Sequence, residues 1–260
     1  MSSPYITSAD PPSHLSNSAL PFRTFHFDFR ESKPISVRPL GPSDVHLWHC
    51  QLEGSETTSQ RSATALSNDE RERMAQFRFE PDRRAFAFAR GMLRTVLASY
   101  LSIDPREVRL SYSPQGKPSL APPQSHSGVE FNLSHTAGYI LMAISQGHTL
   151  GVDVEKLRSD FEVEELATRF FSPAERRSLM RLPKTERRRA FFHCWTRKES
   201  LLKARGGGLL LPLEDFDVSI GAGEETVKLV TRPDPLEAKQ WIILNVDVPD
   251  EYTAAVTVGR

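Results

Sequence analysis

The sequence predicts an α+β fold built from two similar halves. Two observations carry that expectation. A helical stretch from Ser67 to Leu101 gives way to short strands between Val108 and Glu155, and a second helical stretch from Phe161 to Arg205 gives way to strands again, ending near Val258. Gly, Pro and Ser turns separate the strands between Val108 and Glu155. At 260 residues the chain suffices for one large domain or two small ones. No repeat in the sequence itself accompanies this recurrence of elements.

Each element has a local reason. Residues 1–22 are rich in Ser and Pro, hold no Lys or Arg, and lack the basic start and apolar run of a secretory signal, so they read as a disordered tail. Phe25 to Leu47 reads as an extended edge, and Gln51 to Leu66 as a polar linker with little to pack. Ser67-Asn68-Asp69-Glu70 is a helix cap with acids in the first turn, where they suit the helix dipole. In the next helix, Asp82 to about Leu101, the spacing of Phe86, Leu93, Leu97 and Tyr100 points them at the core. Arg83, Arg90 and Arg94 follow an adjacent stripe that is either a solvated edge or a phosphate seat.

Strands are expected over Val108–Tyr112, Val129–Leu133, Tyr139–Ser145 and Leu150–Glu155. Helices follow over Phe161–Phe171 and Ala174–Leu182, the second with Ser172 and Glu175 in capping-box register and Pro173 at its first position. A long helix from Thr185 to Arg205 stops at Gly206-Gly207-Gly208. Strands over Phe216–Ile220, Thr226–Val230, Trp241–Val248 and Thr253–Val258 complete the chain. The halves are bounded at 23–148 and 149–260.

Thirty-three basic residues balance 33 acidic ones, so bulk charge predicts no nucleic-acid partner. Apolar runs such as Tyr139 to Ile144 fall far short of the roughly 20 residues a spanning helix needs, which predicts no membrane segment. Two cysteines, Cys50 and Cys194, are too few for a disulfide framework or a four-ligand zinc site, and a reducing cytoplasm is the expected compartment.

Four short motifs carry chemistry. In Gly151-Val152-Asp153-Val154-Glu155 the period of a strand puts both carboxylates on one face, as oxygen ligands for Mg²⁺ or simply as the wet side of an edge strand. Trp195, Glu199 and Lys203, four apart, share one face of the long helix, where the plain alternative is a surface ion pair. Gly116-Lys117-Pro118 is a tight turn bearing a cation. Phe131-Asn132-Leu133-Ser134-His135 ends a strand with a hydroxyl and an imidazole able to donate to phosphate.

Taken along the chain, Gly116 to Pro118, Phe131 to His135, Gly151 to Glu155 and Trp195 to Lys203, with Arg169-Phe170-Phe171-Ser172-Pro173-Ala174-Glu175 between the third and the fourth, resemble in order and spacing the Sfp-type 4′-phosphopantetheinyl transferases from about Ser67 to Leu213. The resemblance implies a pseudo-twofold protein that binds coenzyme A between its halves and moves the phosphopantetheine arm to a serine of an acyl or peptidyl carrier domain. It implies Mg²⁺ on Asp153, Glu155 and Glu199, with Glu199 also a base and Lys203 assisting the departing 3′,5′-ADP. Arg84, Lys117, Pro118, Ser134, His135, Lys198 and Lys203 are the implied coenzyme A contacts, with Arg83 competing with Arg84 for the 3′-phosphate. Arg176, Arg177, Arg181, Arg187, Arg188 and Arg189 are candidates for an acidic carrier surface, and two halves in one chain make a monomer natural. Another Mg²⁺-dependent transferase acting on a nucleotide pyrophosphate is the alternative reading; an RNA-binding module is disfavoured by the zero net charge.

Overall fold

The computed structural model describes residues 22–29, 35, 37–52, 56–206, 212–221 and 227–260. Most of the expected tail, the glycines at 207 and 208, and Thr226 lie outside them. Phe22, placed in that tail by the sequence reading, is instead a buried residue of the first strand.

The first half runs β1 (Phe22–His26), β2 (Val45–Gln51), α1 (Glu56–Thr64), α2 (Asn68–Ala75), α3 (Glu80–Leu101), a hairpin of β3 (Leu110–Tyr112) and β4 (Pro118–Leu120), then β5 (Val129–Thr136) and β6 (Tyr139–Gln146). The second runs β7 (Leu150–Lys156), α4 (Val163–Phe170), α5 (Pro173–Arg181), α6 (Lys184–Arg205), a hairpin of β8 (Phe216–Val218) and β9 (Leu229–Thr231), then β10 (Trp241–Asn245) and β11 (Tyr252–Gly259). From β2 and from β7 onward the order is identical: a strand, two short helices, a 22-residue helix, a hairpin and two antiparallel strands. The sheets repeat too: β2-β6-β5 in one and β7-β11-β10 in the other are antiparallel throughout, and the first sheet adds β1 parallel to β2 at its edge. The two similar α+β halves are therefore real although the sequence shows no repeat.

One buried ion pair also recurs. Each half opens its second short helix with a capping box, Ser67 with Glu70 and Ser172 with Glu175. Each glutamate then reaches a cation fifteen residues into the long helix, Arg94 for Glu70 and Lys198 for Glu175. That cation in turn donates to carbonyls flanking the hairpin, Val108 in the first half and Phe216 in the second.

Three apolar clusters hold the layers. Phe88, Met92, Val96 and Leu97 of α3 pack on Trp48, Phe131, Ile140 and Met142. Phe191, Leu201 and Leu202 of α6 pack with Phe171, Leu179 and Phe216. The inner faces of both sheets, Leu47, Leu141 and Ala143 from one and Val152, Val154, Ala254 and Val256 from the other, share the third. The residues at 51–66 are not a linker: α1 lies there, and Thr58 and Ser62 are buried, Ser62 Oγ donating to the Thr58 carbonyl at 3.0 Å. Phe86, expected in the core, is half-buried at the rim against Phe77, while Phe88 takes the central place.

Buried histidines make the fold acid-sensitive. Burial holds the imidazoles of His46, His49 and His193 down at about 4, from an ordinary 6.5. Because these values are depressed, the unfolded chain takes up protons first as pH falls through 6.5, and the stability tied to the neutral rings is lost progressively down to about 4. The urea unfolding midpoint should drop steadily between pH 7 and pH 4.5; a flat midpoint across that window contradicts the assignment.

Candidate active site

The site is built where β7 meets β5 and α6. Alternation along β7 sends Val152 and Val154 into the shared core and turns Gly151, Asp153 and Glu155 toward α6. Small partners on β11, Ala255 opposite Asp153 and Thr253 opposite Glu155, leave room beside the acids. The helix lies so close that a Cβ at Gly151 would sit 1.9 Å from the Ser200 carbonyl oxygen and 2.4 Å from the Ala204 nitrogen. This approach brings Glu199 and Lys203, one turn apart, against the strand acids.

Between the halves, side chains replace a backbone ladder. Asn132 Oδ1 on β5 accepts from the Val152 N–H at 2.8 Å. Two residues on, the Ser134 hydroxyl donates to Asp153 Oδ1 at 3.0 Å. Asp153 is 3% exposed, and its Oδ1 also accepts from Lys203 Nζ at 2.6 Å, while Lys203 Nζ donates to Ser134 Oγ at 2.9 Å. Asp153 Oδ2 and Glu199 Oε1 are buried without a hydrogen-bond partner.

Burial and the neighbouring acids raise the proton affinity of Glu155 and Glu199. Burial first, then the charges of Asp153 and Glu155, push the Glu199 carboxyl up to about 7, with Lys203 opposing. Burial and Asp153 likewise raise Glu155, against the lowering effects of Lys203, Arg158 and a hydrogen bond from Trp195. Trp195 otherwise packs, stacked on Phe191 and edge-on to Phe170. Asp153, Glu155 and Glu199 thus face one crevice. Hard carboxylate oxygens, two of them unpartnered and buried, suit a divalent cation such as Mg²⁺. Among the described residues no three such side chains already close around a metal point, and the Lys203 ammonium holds the corner at Asp153.

On the other wall His135 is exposed at the end of β5, its imidazole lowered by local desolvation and by the charges of Lys203 and Arg90. Arg90 lies over the Tyr112 ring, 5.5 Å from its centroid. Lys203 and Arg90, the latter also 3.9 Å from Glu70 Oε1, put positive charge on this side, and His135, held toward its neutral form, adds a hydrogen-bonding imidazole.

Several expected residues lie elsewhere or are occupied. Lys198, read as a coenzyme A contact, is fully buried: its Nζ donates to Glu175 Oε1 and the Phe216 carbonyl, each at 2.6 Å, and sits over the Phe216 ring. That assignment is corrected, because adjacent positions on a helix point about 100° apart and the face next to Glu199 turns into the core. Arg94 leaves the phosphate stripe in the same way, buried against Glu70 and the carbonyls of Pro105 and Val108. Lys117 Nζ caps the end of α6, donating to the carbonyls of Lys203 at 2.6 Å and Leu150 at 3.0 Å. Pro118 opens β4 beside it. Arg83 is engaged with Glu80 and the Phe77 carbonyl, and Arg84 is half-buried in the first turn of α3.

The arginine group also divides. Arg187 binds Glu164 Oε1 and the carbonyls of Leu182 and Met180, Arg188 binds the Arg158 carbonyl, and Arg189 that of Asp250. Arg176, Arg177 and Arg181 instead line an open concavity between α4 and α5 with Met180, Thr168 and Pro173. Sequence reasoning gave no role to Asn132 or to the tight approach at Gly151; the pattern Phe131-Asn132-Leu133-Ser134 held the signal, since alternation puts Asn132 and Ser134 on one face.

Comparison with known proteins places the chain among its relatives. The profile of the 4′-phosphopantetheinyl transferase superfamily matches residues 149–257, and that of the 4′-phosphopantetheinyl transferase N-terminal region matches residues 52–147. The 4′-phosphopantetheinyl transferase HetI of Nostoc sp. is 38% identical over 87% of this chain and 92% of its own length. The 4′-phosphopantetheinyl transferase Sfp of Bacillus subtilis is 29% identical over 79% and 88%. The human L-aminoadipate-semialdehyde dehydrogenase-phosphopantetheinyl transferase is 28% identical over 75% and 68%.

Proposed function

The chain belongs to the 4′-phosphopantetheinyl transferase family, and we propose that the crevice bounded by Asp153, Glu155 and Glu199 is where it moves the phosphopantetheine arm of coenzyme A onto a carrier-protein serine. The observation that carries this site is the convergence of three carboxylates, buried Asp153 and half-buried Glu155 and Glu199, with Asp153 Oδ2 and Glu199 Oε1 unpartnered. In the transfer the serine oxygen bonds to the phosphorus that bears the pantetheine, the bond to the other phosphate breaks, and 3′,5′-ADP leaves. Asp153, Glu155 and Glu199 would hold Mg²⁺, which when bound neutralises the diphosphate and polarises the phosphorus.

This chain's residues do the rest. Glu199, at the edge of the strand acids and one turn from Lys203, is placed to take the serine proton. Lys203 supplies positive charge on the leaving-group side, Arg90 extends that charge along the diphosphate, and the neutral imidazole of His135 can donate a hydrogen bond to a phosphate oxygen. Ser134 and Asn132 hold Asp153 and β7 against the first half, so both walls keep their spacing. One chain furnishes both walls, which suits a monomer with halves at 23–148 and 149–260. No described helix is long and apolar enough to cross a membrane; with two cysteines in 260 residues, a cytoplasmic setting is part of the proposal.

The test is mass spectrometry of an apo carrier domain incubated with this protein, coenzyme A and Mg²⁺. A gain of one phosphopantetheine on the serine supports the reading, and coenzyme A left unconsumed opposes it. For carrier contact the structure favours the concavity with Arg176, Arg177 and Arg181 over the occupied Arg187. Arg177→Glu should raise the carrier KM several-fold, with the effect fading as salt increases. Arg187→Glu should instead lower the melting temperature, and the reverse pattern contradicts this division.

A further inference from the structure

Lys203 stands where a cation is wanted. Its ammonium lies 2.6 Å from Asp153 Oδ1 and 2.9 Å from Ser134 Oγ, with 31% of its side chain exposed, while Asp153 is almost wholly buried. The second oxygen of Asp153 and one oxygen of Glu199 have no partner. Lys117, on the carbonyls of Lys203 and Leu150, holds the backbone from which the ammonium extends.

We propose that in the free protein Lys203 is a resident counter-ion on Asp153, excluding divalent metal until the diphosphate of the co-substrate draws the ammonium away. The inference rests on the metal-binding reading of Asp153 and Glu199 and deepens it. An ammonium beside a buried carboxylate satisfies the same charge that a metal would, and a metal on the free Asp153 Oδ2 would meet the ammonium on Oδ1 across a single carboxylate. The diphosphate offers Lys203 an alternative anion within reach of its exposed end. Metal therefore enters together with the diphosphate, as a metal–coenzyme A complex, rather than first and alone.

The probe is Mn²⁺ alone, titrated into the full chain without coenzyme A and followed by electron paramagnetic resonance of the free ion. Wild type should bind weakly, and Lys203→Met should bind about tenfold more tightly or better, because the competing charge is gone. Lys203→Arg, which keeps the charge, should match wild type. Asp153→Asn should bind least of all. If Lys203→Met binds no more tightly than wild type while Asp153→Asn loses binding, the counter-ion role is wrong and the metal site survives. If Asp153→Asn binds Mn²⁺ as well as wild type, the metal reading itself falls. Circular dichroism melting of each variant shows that a change in binding is not a loss of fold.

Discussion

Gly151→Ala is expected to lose both stability and turnover. The added methyl would lie 1.9 Å from the Ser200 carbonyl oxygen and 2.4 Å from the Ala204 nitrogen, and both obstacles are helix backbone, which cannot rotate aside as a side chain can. Relief requires α6 to move off β7. Overpacking of this kind costs about 1–3 kcal/mol and sometimes more. The same movement carries Glu199 and Lys203 away from Asp153, and displacement of reacting groups by about 1 Å can cost on the order of 100-fold in rate. The turnover number should therefore fall at least about 100-fold, with a lower melting temperature. Wild-type transfer by Gly151→Ala would mean that the helix does not need to sit this close.

Lys198→Met is expected to be among the most destabilising single changes in the chain, and to act through the fold. Glu175 Oε1 accepts from Lys198 Nζ and from the Val218 N–H at 2.8 Å, while its Oε2 accepts from the Ser172 N–H at 2.9 Å. Removing the ammonium leaves a carboxylate buried without its counter-charge, a loss of about 3–5 kcal/mol. Replacing both groups, Lys198→Met with Glu175→Gln, removes the uncompensated charge and should recover part of that loss in a double-mutant cycle. Denaturant unfolding of the four proteins measures it. A contact to coenzyme A would behave differently: Lys198→Met would raise the coenzyme A KM and leave the unfolding midpoint where it was.

The contrast between Lys198 and Glu199 shows what the chain made legible and what it hid. Alternation along Gly151 to Glu155 and the four-residue spacing of Trp195, Glu199 and Lys203 place the acids on defined faces, and those faces do meet. Spacing along one element cannot say which neighbouring face turns inward, so Lys198 and Arg94 pass for surface cations until their glutamates appear from helices more than twenty residues away. The capping boxes at Ser67 and Ser172 were readable because their chemistry is local. Helix α1 was not, because the positions it buries are Thr58 and Ser62, and Ser62 bonds back to the helix carbonyl rather than adding an apolar period. The order of elements announced the two similar halves, but no residue pattern did, because Trp48 and Cys50 occupy in β2 the register that Asp153 and Glu155 occupy in β7. The first half fills with aromatic packing, Trp48 and His46 both on the Tyr100 hydroxyl, the place that the second half leaves to charge.

The most direct test compares wild type with Asp153→Asn for phosphopantetheine transfer to an apo carrier domain, at saturating coenzyme A and Mg²⁺, beside the unfolding midpoint of each. The amide keeps the size of the side chain and its bond from Ser134 but removes the charge around which the crevice is organised. The account predicts a carrier that gains no mass with the variant although the variant is folded. A folded Asp153→Asn protein that modifies the carrier at the wild-type rate would contradict it.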